Sequence, residues 1–520
     1  MTIHVSVKHK KLLVPAQDAL VNIFAGSQHV TFEGNKYIVV DHGVDEAHLL
    51  RNFGYDVPLP ILTHYDWRNG TPFEIQKQTS ALMSSQRRCY VLNEFGTGKT
   101  RSALWAWDYL YSCGQATKLL VVAPLSTLSL TWGREVFATL PHRKVAVLHG
   151  TKKKRQEKLA EDADVYVINH DGIGVLSPDL NARINDINCL VLDELAVYRN
   201  PTAKRTKAMR KFAANFKWVW GMTGSPTPNE PTDAWAQCSI ITPKTVPDYY
   251  KRWREELMTK VSDFKWVPKR DAIDKVYEAM QPSVRFTLDD VVELPDLIER
   301  TIDIDMGKEQ KRVYDTMMQH ARVMAQSHEI TALNAGAVLM KLLQISTGYV
   351  YTRDGRTVSL DNDMRLQALV DNVNASAHKV IVFCPFKHTL AGVAKRLTDE
   401  GNSVGVVSGD TPKGERDIIF GGFQNGTEPR VLVAHPACMS HGLTLTAADT
   451  IIWFGPTSSL ETFEQANARI RRVGQHHKQQ ILMFQSTLVE KRMYAKLRAK
   501  QNVQNQLLDL FEEASGQSEN

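Results

Sequence analysis

Cysteine is scarce and scattered. The chain has 520 residues and six cysteines: Cys89, Cys113, Cys189, Cys238, Cys384 and Cys438. No two form a C-x-x-C pair. That spacing excludes a disulfide framework and a structural zinc site, and it fits a reducing compartment, the cytoplasm. No apolar run reaches the ~18 residues of a membrane-spanning helix. The N-terminal MTIHVSVKHKKLLVPAQ has neither the continuous apolar core nor the cleavage signature of a secretory leader. Charge of one sign is lacking too. Lys+Arg 63 against Asp+Glu 57 leaves +6, which permits a nucleic-acid partner without demanding one. The histidines show no ligand spacing, and His476-His477 are adjacent, which suits chelation poorly. There is no short-period repeat. What is present is an ordinary globular balance, 43% hydrophobic and 23% charged, in a chain long enough for three or four domains at roughly 150 residues each.

Residues 1–60 read as a small α+β unit. VTF and KYIVV flank a turn at Glu33-Gly34-Asn35, and DEAHLLRNFGY comes next with apolar residues at helical spacing. The prolines of DVPLPI break any helix, and a linker is expected there. From residue 61 to 240, short Val/Ile/Leu-rich runs alternate with helical stretches: CYVLNEF, KLLVVAP, DVYVINH, CLVLDE and WVWGMTG. A second such series fills 301–495: KVIVFCP, SVGVVSG, RVLVAHP, TIIWFGP and QQILMFQ. This alternation predicts two α/β units with parallel sheets. Residues 241–300, mixing Pro, Trp and charges, are expected to be a linker or insertion. Residues 496–520 read as a helix end followed by a polar, disordered tail.

Three motifs carry chemistry. Asn93-Glu94-Phe95-Gly96-Thr97-Gly98-Lys99-Thr100 follows an apolar run and precedes a helix, the setting of a phosphate-binding loop. Gly96, Thr97 and Gly98 let backbone N–H groups approach phosphates. Lys99 would reach the β- and γ-phosphates, and Thr100 would offer its hydroxyl to Mg²⁺. Asn93 stands at the usual first glycine. Asp193-Glu194 ends the run CLVLD, where a carboxylate pair can hold Mg²⁺ (Asp193) and polarise water (Glu194). Alone, that pair reads more readily as a solvated helix cap; downstream of a phosphate loop in the same α/β unit the balance reverses. In QANARIRRVGQ, Arg469 and Arg472 fall at i, i+3 and would share a helical face suited to a γ-phosphate. Alone, that is equally a basic surface helix. The run Lys152-Lys153-Lys154-Arg155 fits a phosphate contact or a solvated helix start. Of Trp132, Trp218, Trp220, Trp266 and Trp453, most are expected in the core.

Together these motifs resemble the superfamily 2 helicases, and within them the SWI/SNF-type DNA translocases, over roughly residues 70–490. PFEIQKQ resembles the adenine-reading segment, with Gln76 as its glutamine. APLSTLSLTWGREV and INHDGI resemble elements that touch the nucleic-acid backbone. DELAVYRNPTAKRTKAM resembles the DExH box, and MTGSPTPNEPTDAWA the coupling motif. KVIVFCPFKHTL, SGDTPKGERDIIFGGFQNG and MSHGLTLTAADTIIWFGP resemble the motifs of the second lobe, and QANARIRRVGQ the arginine-finger motif. The resemblance implies two RecA-like lobes in tandem, with ATP and Mg²⁺ bound between them. It implies DNA held largely independently of sequence, as a duplex or branched structure, through groups such as Ser126, Thr127 and Thr444. Fork regression, annealing or branch migration would follow. Strand separation on DNA or RNA is the alternative, and a non-hydrolysing ATP-gated scaffold is one of another class. Two features depart from the family. Ala196 stands where the box usually has His, which shifts coupling toward Thr223 and Ser225. The large insertions of chromatin remodellers are missing, which points to a compact prokaryotic or phage enzyme. The apolar pattern of residues 1–60 is similar to the HepA-related domain of annealing helicases, a module that binds forked DNA; a buttress for the first lobe is the alternative.

Overall fold

The computed structural model describes residues 2–228, 230–262, 265–290, 295–326, 332–351, 357–439, 444–472 and 474–497. The expected tail therefore lies outside the described residues from 498 onward, as do Met1, Asn229, 440–443 and Val473 of the stretches quoted above. The chain divides into two compact units, Met1–Val291 and a second beginning at Val292.

The first unit opens with a four-stranded antiparallel sheet. Its strands run in the order His4–Ser6, Lys11–Pro15, Asn35–Asp41, Gln28–Phe32. The hairpin read from the sequence is present. Glu33 and Gly34 both take positive φ, 48° and 77°, the signature of a tight two-residue turn that matches strand twist. The first strand pair is not among the expected elements, although Leu12, Leu13 and Val14 form an apolar run. DVPLPI is not a loose connection. Val57, Leu59 and Ile61 are buried, and Pro60–His64 forms a short helix. One continuous apolar cluster runs from Leu12, Ile38 and Leu50 through Val57 and Ile61 to Tyr65, Ala81 and Trp105. Residues 1–60 therefore share a core with the phosphate-loop half of this unit. Within that half, the Tyr65 hydroxyl donates to Asp108 at 2.8 Å, and Arg143 pairs with the same buried carboxylate at 2.7 Å.

Two histidines help join these parts. His42 Nε2 lies 2.8 Å from the Pro58 carbonyl, so it carries a proton and donates it. His42 Nδ1 must then accept, which it does from His64 Nε2 at 2.8 Å. The chain of hydrogen bonds requires a neutral His42, whose Nδ1 must accept. Burial lowers both pKa values, that of His64 to about 4. A histidine whose folded pKa lies below its unfolded value of about 6.5 loses stability as pH falls, because the unfolded chain then binds more protons. The melting temperature of the parent should therefore drop as pH goes from 6.5 toward 4. His64→Gln, measured by thermal denaturation across that range, should give a shallower slope; an unchanged slope would assign the acid sensitivity elsewhere.

The main sheet of the first unit has seven strands, all parallel. The order is Ser283–Val284, Arg88–Val91, Trp218–Met222, Ile187–Asp193, Lys118–Ala123, Val165–Asn169, Val145–Leu148. The central strands are buried along almost their whole length because helices cover both faces, which is why they read as unbroken apolar runs. Trp132, Trp218, Trp220 and Trp453 are all core residues, so none is free to stack on a base. Segment 241–300, expected to be a linker or insertion, supplies a strand to each unit. Ser283–Val284 pairs with Tyr90 and Val91 at the edge of this sheet, and Leu297–Asp303 pairs with Gln479–Gln485 in the second unit. Both are too short or too polar to stand out as apolar runs.

The second unit holds a six-stranded sheet, again all parallel. Its order is Leu297–Asp303, Gln479–Gln485, Ala448–Trp453, Lys379–Phe383, Val431–Ala434, Val404–Val407. Each of the five runs read from the sequence became a strand. Separate apolar clusters cover its two faces, one around Phe383, Trp453 and Phe463, the other around Val382, Leu390 and Phe484. A buried ion pair, Arg365–Glu490 at 2.7 Å, ties a helix of this unit to the first turn of its last described helix.

Candidate nucleotide site

The phosphate loop leaves the carboxyl end of Arg88–Val91 and enters the helix Lys99–Ser112. Gly96 and Gly98 have φ of 88° and 82°, a left-handed backbone that other residues resist. A Cβ on Gly98 would also lie 2.1 Å from Gln76 Nε2. Gln76 braces the loop: its amide donates to the Thr97 carbonyl at 3.2 Å and accepts from the Phe73 N–H at 3.1 Å. The glutamine assigned to adenine is thus engaged with the loop itself. The Thr97 hydroxyl donates to the Glu94 carbonyl at 2.9 Å. The Lys99 ammonium rests on the carbonyls of Asn93 and Glu94, at 2.7 and 2.9 Å. Thr100 is the second residue of the helix and half-exposed. This cradle fits a polyphosphate: glycine backbone, helix N-terminus, and a lysine that can exchange carbonyls for phosphate oxygens.

Asp193 and Glu194 end the Ile187–Asp193 strand, one strand removed from the phosphate-loop strand. Burial pushes the Asp193 carboxyl above its ordinary pKa, opposed by the Trp132 indole and the Lys99 ammonium. The indole N–H donates to Asp193 Oδ2 at 2.9 Å. A hard divalent cation, for which Thr100 and Asp193 are suitable oxygen donors, would reverse that rise. Glu194 takes φ 56°, ψ 56°. A glutamate held left-handed costs about 1–2 kcal/mol, and the strain turns the chain sharply between the two carboxylates. Sequence reading missed Trp132 as the partner of Asp193; no local pattern links residues 61 positions apart.

Ala196 is buried in the turn Leu195–Tyr198. The polar group beneath this strand end is His170, whose Nδ1 lies 2.9 Å from the Tyr198 hydroxyl; burial lowers its pKa to about 4, so it is neutral. Thr223 and Ser225 are both buried, and the Ser225 N–H donates to the Thr223 hydroxyl at 3.2 Å. Gly224 between them lies against the loop, since a Cβ there would meet the Phe95 ring at 3.0 Å. The Thr223–Ser225 segment therefore touches the loop that carries Phe95 directly.

The expected nucleic-acid contacts divide. Ser126 is exposed. Thr127 is buried, and its hydroxyl donates to the Pro124 carbonyl at 2.9 Å, so that side chain closes a turn and does not face solvent. Of the basic run, Lys152, Lys153 and Lys154 are exposed, whereas Arg155 binds the Leu148 carbonyl and Asn169 internally. A cavity of about 860 Å³ lies at the opposite, amino-terminal edge of the sheet, beside Arg88, Arg210, Trp235 and Tyr249. None of the predicted site residues lines it.

In the second unit the arginines do not share a helical face. The helix Leu460–Asn467 ends before them. Asn467 accepts from the Trp453 indole at 2.9 Å, and the Arg469 carbonyl accepts from the Leu445 N–H at 3.0 Å, contacts that draw the chain out of helical geometry. Arg469 is buried. Arg472 is half-exposed, with Nη1 donating to the exposed Thr444 hydroxyl at 3.3 Å. Partial burial lowers the guanidinium pKa from its ordinary value and leaves it charged at neutral pH.

Residues 19–350 match the SNF2-related domain and residues 364–474 the helicase conserved C-terminal domain. Putative protein p41 of Acyrthosiphon pisum secondary endosymbiont phage 1 is 28% identical over 404 residues, covering 74% of this chain and 85% of its own. The uncharacterized ATP-dependent helicase MG018 of Mycoplasma genitalium is 24% identical over 425 residues, covering 80% of this chain but 40% of its own. The solved Sulfolobus solfataricus SWI2/SNF2 ATPase core in complex with dsDNA is 21% identical, with a TM-score of 0.40 and coverage of 87% of this chain and 98% of its own. No helix among the described residues is long and apolar enough to cross a membrane. With its phosphate loop, its strand-end carboxylates and two parallel-sheet units, the chain belongs to the SNF2-related family, the SWI/SNF-type superfamily 2 helicases, and is an ATP hydrolase.

Proposed function

We propose that the protein is a DNA translocase that couples Mg·ATP hydrolysis to movement along duplex or branched DNA. One observation carries the reading. Lys99 and the Asp193–Glu194 pair follow the carboxyl ends of two strands of one parallel sheet, with a single strand between them, where a nucleotide's phosphates, its cation and an attacking water can be held together. Glu194 is the general base and Asp193 holds Mg²⁺ with Thr100. Thr223 and Ser225, on either side of the Gly224 that packs against Phe95 of the loop, transmit its state. DNA as the partner rests on the SWI/SNF-type spelling of the motifs. Ser126 and Thr444, both exposed, and backbone amides would hold phosphates without reading bases. Fork regression, annealing or branch migration are the outcomes that fit, in repair or recombination in a bacterial or phage setting.

Steady-state ATPase on single-stranded, duplex, forked and four-way DNA tests this. Stimulation by duplex or branched DNA is expected; a rate indifferent to every DNA, or raised only by RNA, would sink the proposal. Arg472 is read as the group that meets γ-phosphate charge in the transition state. Arg472→Ala should then lower kcat by ~10²-fold or more with little change in nucleotide affinity. Arg471→Ala should cost much less, and equal losses at the two positions would remove Arg472 from that role.

A further inference from the structure

The edge strand Ser283–Val284 does not stop at the sheet. The Tyr90, Leu92 and Glu94 N–H groups donate to the carbonyls of Pro282, Val284 and Phe286, at 3.0, 2.8 and 2.9 Å. The ladder thus runs into the phosphate loop. Side chains tighten it there. The Phe286 N–H donates to Asn93 Oδ1 at 3.0 Å, and Asn93 Nδ2 donates to the Thr79 hydroxyl at 2.9 Å. Glu94 is held at both oxygens, by Arg285 Nη2 at 2.9 Å and by the Leu288 N–H at 3.0 Å. Arg285 itself is buried, its side chain 1% exposed, and Nη1 also donates to the Phe286 carbonyl.

A buried guanidinium is a poor way to gain stability, since an apolar side chain of similar size generally serves as well. Its value here is electrostatic and positional. A carboxylate inside a loop that receives a polyphosphate repels it, and Arg285 cancels that charge. The same contacts fix Asn93 and Glu94, whose carbonyls hold Lys99. We propose that Arg285 is a positioning residue for the phosphate loop: it neutralises and orients Glu94 so that the loop accepts a nucleoside polyphosphate. This rests on the nucleotide-site reading above.

The test is equilibrium binding of fluorescent methylanthraniloyl-ADP with Mg²⁺ to the full chain, with thermal melts as the folding control. Arg285→Met, which fills the same space, should weaken binding ~10-fold or more, because an uncompensated like charge then lies beside the phosphates. Arg285→Lys should stay within ~3-fold of the parent, because the charge is kept. Adding Glu94→Gln to Arg285→Met should recover most of the loss, because the repelling charge is then gone. A purely structural arginine would show no such recovery. Parent-like binding by Arg285→Met, or a double variant weaker than Arg285→Met alone, overturns the proposal. If Arg285→Met does not fold, Arg285→Lys decides it: a ~10-fold loss there refutes the charge argument. Failure of the parent itself to bind the probe would refute the nucleotide site instead.

Discussion

Glu194→Gln is expected to bind Mg·ATP as the parent does and to hydrolyse it ~10²–10⁴-fold more slowly, the usual cost of losing a general base. The amide keeps the shape of the carboxylate at a strained left-handed position, φ 56°, so the backbone turn should survive. Lys99→Ala should behave differently. The ammonium that bridges the Asn93 and Glu94 carbonyls is the group that would pass to the phosphates. Its loss should weaken nucleotide binding and abolish turnover together. Single-turnover hydrolysis and nucleotide binding, measured on both variants, separate the two effects. Parent-like turnover by Glu194→Gln would falsify the base assignment, and parent-like affinity in Lys99→Ala would do the same for the phosphate contact.

The second large effect concerns the N-terminal sheet. As a module behind a linker, residues 1–60 could be removed with loss of a preference for forked DNA and little else. The packing argues for a different result. Leu12, Val14, Leu20, Ile38, Val40, Leu50 and Val57 belong to the same buried cluster as Tyr65, Ala81 and Trp105. A fully buried aliphatic side chain contributes about 1.5–3 kcal/mol, and a domain's net stability is only about 5–15 kcal/mol. A chain beginning at Leu59 should therefore aggregate or melt well below the parent. Size-exclusion chromatography and a thermal melt read this directly. A monodisperse truncated protein with the parent's melting temperature would restore the separable module. The ratio of its ATPase on forked and linear duplex at fixed salt would then decide whether residues 1–60 read DNA structure.

What could be read from the sequence was whatever is encoded locally. The ten apolar runs became strands because a strand covered on both faces needs a continuous Val/Ile/Leu stretch. The phosphate loop and the Asp193–Glu194 pair declared themselves because glycines, lysine and carboxylates must follow such a run at fixed spacing. Tertiary structure decided what depends on residues far apart. Arg285 meets Glu94 across 191 positions, and Trp132 meets Asp193 across 61; neither pairing leaves a periodic trace. Ser283–Val284 is a strand only because the Arg88–Val91 edge accepts it. Arg469 and Arg472 keep helical spacing in the sequence but lie beyond the helix end, because long-range bonds to Trp453 and Leu445 outweigh one more helical turn. DVPLPI obeyed the local rule that proline breaks a helix. That rule says nothing about burial, and burial against the neighbouring core turned an expected linker into packed structure.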